Sequence, residues 1–205
     1  AGMYHDSVYP VSQTGSTGMA FEAGASGKNL TEWQFGMASL NPRWNVSGTY
    51  MQVLPSFIST GQDGNDEKEF LLDYFNELPD LLSMVFLKGY QWPFDVNKIF
   101  GGSSVIDLLV YQETVLKKRR VFLDYRVNPG NLEKDRDLPY ASMIPEAKEY
   151  LSQAGACFGT PIERLKHMNE PAILFYQDHH VDLFKERLEI AVCAQHNNGG
   201  LSTNH

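Results

Sequence analysis

A short apolar run, Leu188-Glu189-Ile190-Ala191-Val192, passes without a break into Cys193-Ala194-Gln195-His196-Asn197-Asn198-Gly199-Gly200-Leu201. The first part reads as a strand, and the second as the polar end of that strand. Two adjacent glycines allow backbone angles or close approaches that a Cβ would forbid. A histidine just before them can present a ring nitrogen to whatever lies against that bare backbone. The plainer alternative is an ordinary turn, for which the same residue types are suited.

The rest of the chain supplies pieces that such a strand could join. Residues 9–15 form a polar loop, after which Ser16 or Thr17 can cap a helix running to about Ala25. A helix start flanked by glycines and hydroxyls suits an anionic group, although a simple capped helix packed by Met19, Phe21 and Ala23 fits equally well. Leu30 to Leu40 reads as a strand, and Thr49 to Leu54 as a second. Arg43 and Trp44, between them, could bind an anion or stack on a ring, or else form an interface or surface turn. The polar stretch 61–66 opens a mostly helical insert. In it Phe70, Leu71, Tyr74, Phe75, Leu78, Val105, Leu108, Leu109, Val115 and Leu116 recur at helical spacing and predict core stripes. Val121 to Val127 reads as a further strand; its Arg126 is a possible anion anchor, with a salt bridge to Asp124 as the commoner outcome. Helices are predicted over 145–154 and 161–168, the second capped by Thr160, and another from Pro171. Asp178-His179-His180-Val181-Asp182 has no specific metal-ligand spacing, so no metal is expected there.

Several of these pieces, in their order, resemble a known family. Thr14-Gly15-Ser16-Thr17-Gly18-Met19-Ala20-Phe21-Glu22-Ala23-Gly24-Ala25, then Trp33-Gln34-Phe35, and much later His196-Asn197-Asn198-Gly199-Gly200 are similar to the flavoprotein subunit family of fumarate reductase, succinate dehydrogenase and L-aspartate oxidase. There a Thr-Gly-Asp-Gly turn opens a helix, a strand ends in Gln-Phe-His-Pro, and a His-Tyr-x-Met-Gly-Gly segment closes an inserted capping domain. The resemblance implies FAD as cofactor, bound mainly by a nucleotide domain elsewhere in the same polypeptide, and a small-molecule substrate. It implies His196 as the catalytic residue and Arg43, Arg126, Asn197 and Asn198 as substrate contacts. Thr14, Gly15, Ser16, Gly199 and Gly200 would then contact the cofactor. The chain departs from the pattern in three places: Gly15 stands at the family's aspartate, Gly36 at its histidine, and no arginine lies near Asp80-Leu81-Leu82-Ser83.

Composition limits the alternatives. A chain of 205 residues that is 42% hydrophobic can bury a core of its own. A net charge of −8 argues against a nucleic-acid surface, and the basic run Lys117-Lys118-Arg119-Arg120 fits a helix end entering a strand. No apolar run approaches the ~20 residues of a membrane span. Two cysteines without a disulfide framework suit a reducing, cytoplasmic setting. No two glycines lie two positions apart, so the chain lacks a dinucleotide-binding turn of its own.

The expected fold is α+β: a small mixed sheet built from the two ends of the chain around a mostly helical insert. Residues 1–60 would be strand-rich and contiguous with an FAD-binding domain, 61–185 the cap insert, and 186–205 the returning strand. The expected role is the substrate cap of an FAD-dependent oxidoreductase, inactive as an isolated piece. The alternative is a non-catalytic interaction or structural module that keeps the cap architecture, with Tyr90-Gln91-Trp92-Pro93-Phe94 as contact surface.

Overall fold

The computed structural model describes residues 16–130, 138–197 and 199–202, with the side chains of Ser16, Gln195, His196 and Asn197 outside that description. The fold is α+β, as expected. In chain order the elements are α1 (Ser16–Glu22), β1 (Gly27–Lys28), β2 (Trp33–Ser39), β3 (Trp44–Asn45), α2 (Thr49–Gln52), β4 (Ser56–Thr60), α3 (Leu78–Lys88), α4 (Ser104–Tyr111), β5 (Arg120–Asp124), α5 (Pro145–Gln153), α6 (Pro161–Asp178), β6 (Leu188–Asn197) and β7 (Gly200–Leu201). A five-stranded sheet has the order β3-β2-β6-β5-β4, and a separate ribbon pairs β1 with β7.

Every strand pairing is antiparallel, so the sheet is not mixed. Its centre is β6, which pairs with β2 from the first third of the chain and with β5 from the middle. The central segment contains a strand, as expected over 121–127. β5 leaves it to enter the sheet, and β4 closes the far edge on β5.

One run changes type. Thr49 to Leu54, expected as a strand, begins with the helical turn α2, because Gly48 at φ 60 reverses the chain and its carbonyl accepts from Met51 and Gln52 nitrogens. A short apolar run does not distinguish a buried strand from a buried helical turn. The extended segment comes slightly later, in β4, where all five residues are buried. α1 stops at Glu22, closed by Gly24 at φ 89 and by Ala25 N donating to the Ala20 carbonyl.

The helices form a layer against the sheet. α4 packs on β6, while α3 contacts α2, α4 and α5. Met37, Leu82, Val85, Ile106, Val110, Leu123, Leu165, Ile173 and Ile190 belong to one continuous core. The buried side of α4 is Val105, Ile106 and Val110, whereas Leu108, Val115 and Leu116 point outward, contrary to the stripe read from spacing. α6 begins with a capping box in which Thr160 and Glu163 satisfy each other's backbone. Asn169 breaks its helical geometry two residues before Pro171, so the two expected helices meet at a kink.

Arg164 on α6 is fully buried. Its guanidinium donates to the carbonyls of Val53, Phe158 and Gly159, to Tyr140 Oη and to Asn128 Oδ1, tying α2 and the loops around 128 and 158 to one helix.

Candidate functional site

The two distant sequence segments do meet. β2 and β6 pair from Ser39↔Ile190 to Trp33↔Asn197, with a bulge at Gln34/Phe35 that leaves Gln195 without a direct partner. Beyond it the chain returns through Gly199 and Gly200, pairing Lys28 with Gly200 and Gly27 with Leu201, and Ser202 N donates to the Ser26 carbonyl. The backbone of His196 thus lies on the sheet beside Gln34, at the end that also carries α1 and the β1–β7 ribbon.

The two glycines differ in what surrounds them. A Cβ on Gly199 would lie 2.2 Å from the Asn29 carbonyl oxygen and 2.5 Å from that of Lys28. The close approach at this position is therefore made by the chain's own backbone. A Cβ on Gly200 would meet no described atom within 4 Å, and its φ is not of the kind that favours glycine. Neither local geometry nor described packing asks for glycine at 200.

Arg43 is brought into the same region. Half-buried, it reaches across β2 so that Nη2 donates to the Ala194 carbonyl at 2.9 Å. Burial pushes the Cys193 thiol up from its ordinary value, against the downward pull of the Arg43 charge and hydrogen bond. Trp44, next to Arg43, turns the other way and packs on Phe175 of α6, with ring centroids 4.8 Å apart.

Trp92 completes this face; sequence reasoning named it only within the 90–94 contact surface of the non-catalytic alternative. A Cβ on Gly36 would lie 2.0 Å from Trp92 Nε1, so the indole occupies the place of a side chain at position 36. Gly36 pairs with Cys193, and directly opposed residues of an antiparallel pair share a face. The indole, the Cys193 thiol and the Arg43 guanidinium are therefore gathered on one face of the β2–β6 ribbon. The residues 89–95 that carry Trp92 are tied down on both sides. Phe94 N donates to the Phe35 carbonyl at 2.7 Å, Ser103 N to Gln91 Oε1 at 2.9 Å, and Asp95 N to Ser104 Oγ at 3.0 Å. The signal in the sequence was Gly36 itself, since an isolated glycine inside a strand marks a close approach.

Beneath this strap lies a buried ion pair. Lys88 Nζ donates to Asp107 Oδ2 and also to the Gln91 carbonyl, and each of the two charged side chains is 1% exposed. Burial raises the Asp107 carboxyl to about 6 and lowers the Lys88 amine, in both cases against the attraction of the partner. Asp107 Oδ1 and Ser103 Oγ, one helical turn apart, are buried without a partner among the described residues.

Other expected site residues fall elsewhere or outside the described part. Arg126 is not brought to this face: its Nε and Nη2 donate to Asp124, at 2.9 and 2.7 Å, and Nη1 to the Lys185 carbonyl. Asp124 also holds Arg187, and this cluster sits near Leu188, about 20 Å along β6 from Ala194. The guanidinium is engaged by its own neighbour, the salt bridge to Asp124 that the sequence reading held to be the commoner outcome. Thr14, Gly15 and Asn198 lie outside the described residues, as do the side chains of Ser16, His196 and Asn197.

The basic run is drawn into ion pairs, Lys117 with Glu113, Arg119 with Asp66 and Glu113, and Arg120 with Glu189. His179 Nδ1 contacts the Phe175 carbonyl at 2.7 Å, and among the described residues no group of three or more His, Cys, Asp or Glu could hold a metal. Among the described residues no helix is long and apolar enough to cross a membrane. Comparison with protein-family models, with curated proteins and with solved structures finds no match for this chain.

Proposed function

We propose that this chain is the substrate-capping part of an FAD-dependent oxidoreductase of the fumarate reductase, succinate dehydrogenase and L-aspartate oxidase type, working in a reducing, cytoplasmic setting. The observation that supports the reading is the pairing of 27–39 with 188–201, which brings Trp33-Gln34-Phe35 and the segment at 196–200 to one end of the sheet. That end, with α1 beside it, exposes Met19, Phe35 and Leu201, apolar side chains suited to contact with another body of the same polypeptide. The side of Gly200 that no described atom covers fits the group: a flat ring can approach bare backbone there.

FAD, when bound, supplies the two-electron redox chemistry. The chain's own residues then bind and orient a small substrate and exclude water from it. Arg43 contributes positive charge at the Ala194 end of the face. His196, three positions along β6 from Cys193 and hence roughly 10 Å away, would give or accept a hydrogen bond at the substrate. Asn197 and Asn198 add neutral donors.

The test is purification of the full-length polypeptide and measurement of its flavin absorbance, followed by turnover with and without His196→Ala. Bound flavin, with turnover at least about a hundredfold lower in the variant, is expected. A colourless protein that cannot be reconstituted with FAD contradicts the reading. Flavin-loaded protein whose turnover is indifferent to His196→Ala contradicts the role of that residue alone.

A further inference from the structure

α4 turns Val105, Ile106 and Val110 into the core and leaves a second apolar stripe open. Leu108 and Tyr111 on the helix, then Val115 and Leu116 on the π turn Gln112–Leu116 that continues it, are exposed, Leu116 by 67%. Their spacing places the four on one helical face. The wide turn is pinned by Glu113, whose buried carboxylate accepts from Ser59 Oγ and pairs with Lys117 and Arg119.

Beside the stripe the surface dips. Phe70, Tyr74, Leu109 and Gln112 line a depression of about 160 Å³, with the exposed Asp73 on its rim. That is smaller than the ~300 Å³ at which small-molecule pockets begin, and it suits one large apolar side chain. Charge follows the same arrangement. Lys118, two positions past Leu116, is exposed and makes no ion pair among the described residues, while Asp73 has an exposed contact with Lys68 at 3.3 Å. One surface thus carries a protruding apolar side chain next to a hollow of its size, and an unspent cation next to an acid. A two-fold axis through such a surface satisfies both at once, because what one copy offers the other receives. The sheet end that the capping function gives to the rest of the polypeptide lies elsewhere. The π turn packs against β5, whose Val121 pairs with Ile190, six residues and hence about 20 Å along β6 from His196.

We infer that the exposed face of α4 and its π turn is the contact between two copies of this chain. Leu116 of each copy sits in the hollow of the other, and Lys118 of each lies beside Asp73 of the other.

The full-length polypeptide is tested by sedimentation velocity from about 1 to 100 µM, the range in which a contact at the small end of the size scale associates. A dimer is expected, weakened about tenfold or more by Leu116→Glu and about fivefold by Lys118→Asp, whose repulsion of Asp73 acts twice across the axis. Combining Lys118→Asp with Asp73→Lys is expected to restore association to within about threefold of the wild type. Both substituted side chains are exposed, so the variants fold. A monomer across that range, a dimer indifferent to Leu116→Glu and to the charge reversal, or growth beyond two copies overturns the inference. A monomer in which Lys118 resists acetylation assigns the face to the remainder of the polypeptide and overturns it as well. Each arm reads association and none reads flavin, so the capping function stands or falls separately.

Discussion

Lys88 and Asp107 show how little a single side chain announces about its environment. In the sequence Lys88 is a basic residue at the end of a helix, a position that favours cations. In the fold it is sealed in beside an aspartate 19 positions later. Burial opposes both charges, so the pair is held together more by the cost of separating it than by net attraction. Asp107 titrates near 6 when folded and near its ordinary 3.8 when unfolded. Its contribution to stability is therefore greatest below the lower value and is lost as the pH rises through the upper one. Removing the amine alone strands the carboxylate. Lys88→Met is expected to cost about 3–5 kcal/mol in urea denaturation near pH 8, and clearly less near pH 5, where Asp107 can take up a proton. Lys88→Met combined with Asp107→Leu should recover most of the loss. Equal losses at the two pH values would contradict this account of the pair. Arg164 carries the same lesson, because no local pattern marks it as the clamp for five neutral acceptors.

Among the secondary structure elements, those with an end signal were legible. Thr160 with Pro161 announced α6, Pro145 announced α5, and the β-branched run announced β6. The element lost was α2, where Gly48 at positive φ decided the conformation and apolar alternation did not. The expectation for the glycine pair was half informative. It located a close backbone approach, but at Gly199 the approaching backbone is that of residues 28 and 29, not a cofactor. Gly199→Ala must push β7 away from β1. It is expected to lower stability by about 1–3 kcal/mol and to speed amide exchange across the Gly27–Leu201 ribbon, as measured by hydrogen exchange. Unchanged exchange at Lys28 would show that the ribbon does not depend on that contact.

For the molecule as a whole, the α+β class and the meeting of the two distant segments were readable, because each segment carried its own strand pattern and turn. The sheet order was not. Nothing in the spacing said that β5 would leave the central segment to lie beside β6, or that a strap from residues 89–95 would lay Trp92 on Gly36. Long-range pairing of this kind is set by the shared core rather than by local preference. Arg43 reached the β2–β6 face because its turn lies across β2 from Ala194, while Arg126 was taken by Asp124, the outcome its sequence neighbourhood favoured.

The account depends on the end of β6 facing a flavin. Gly200→Val in the full-length polypeptide tests that directly, because the new side chain meets no described atom and should leave stability within about 0.5 kcal/mol. FAD titration of the folded variant is predicted to give an affinity at least about tenfold weaker than the wild type, which corresponds to a loss of ~1.4 kcal/mol. An unchanged FAD affinity at unchanged stability would contradict the account.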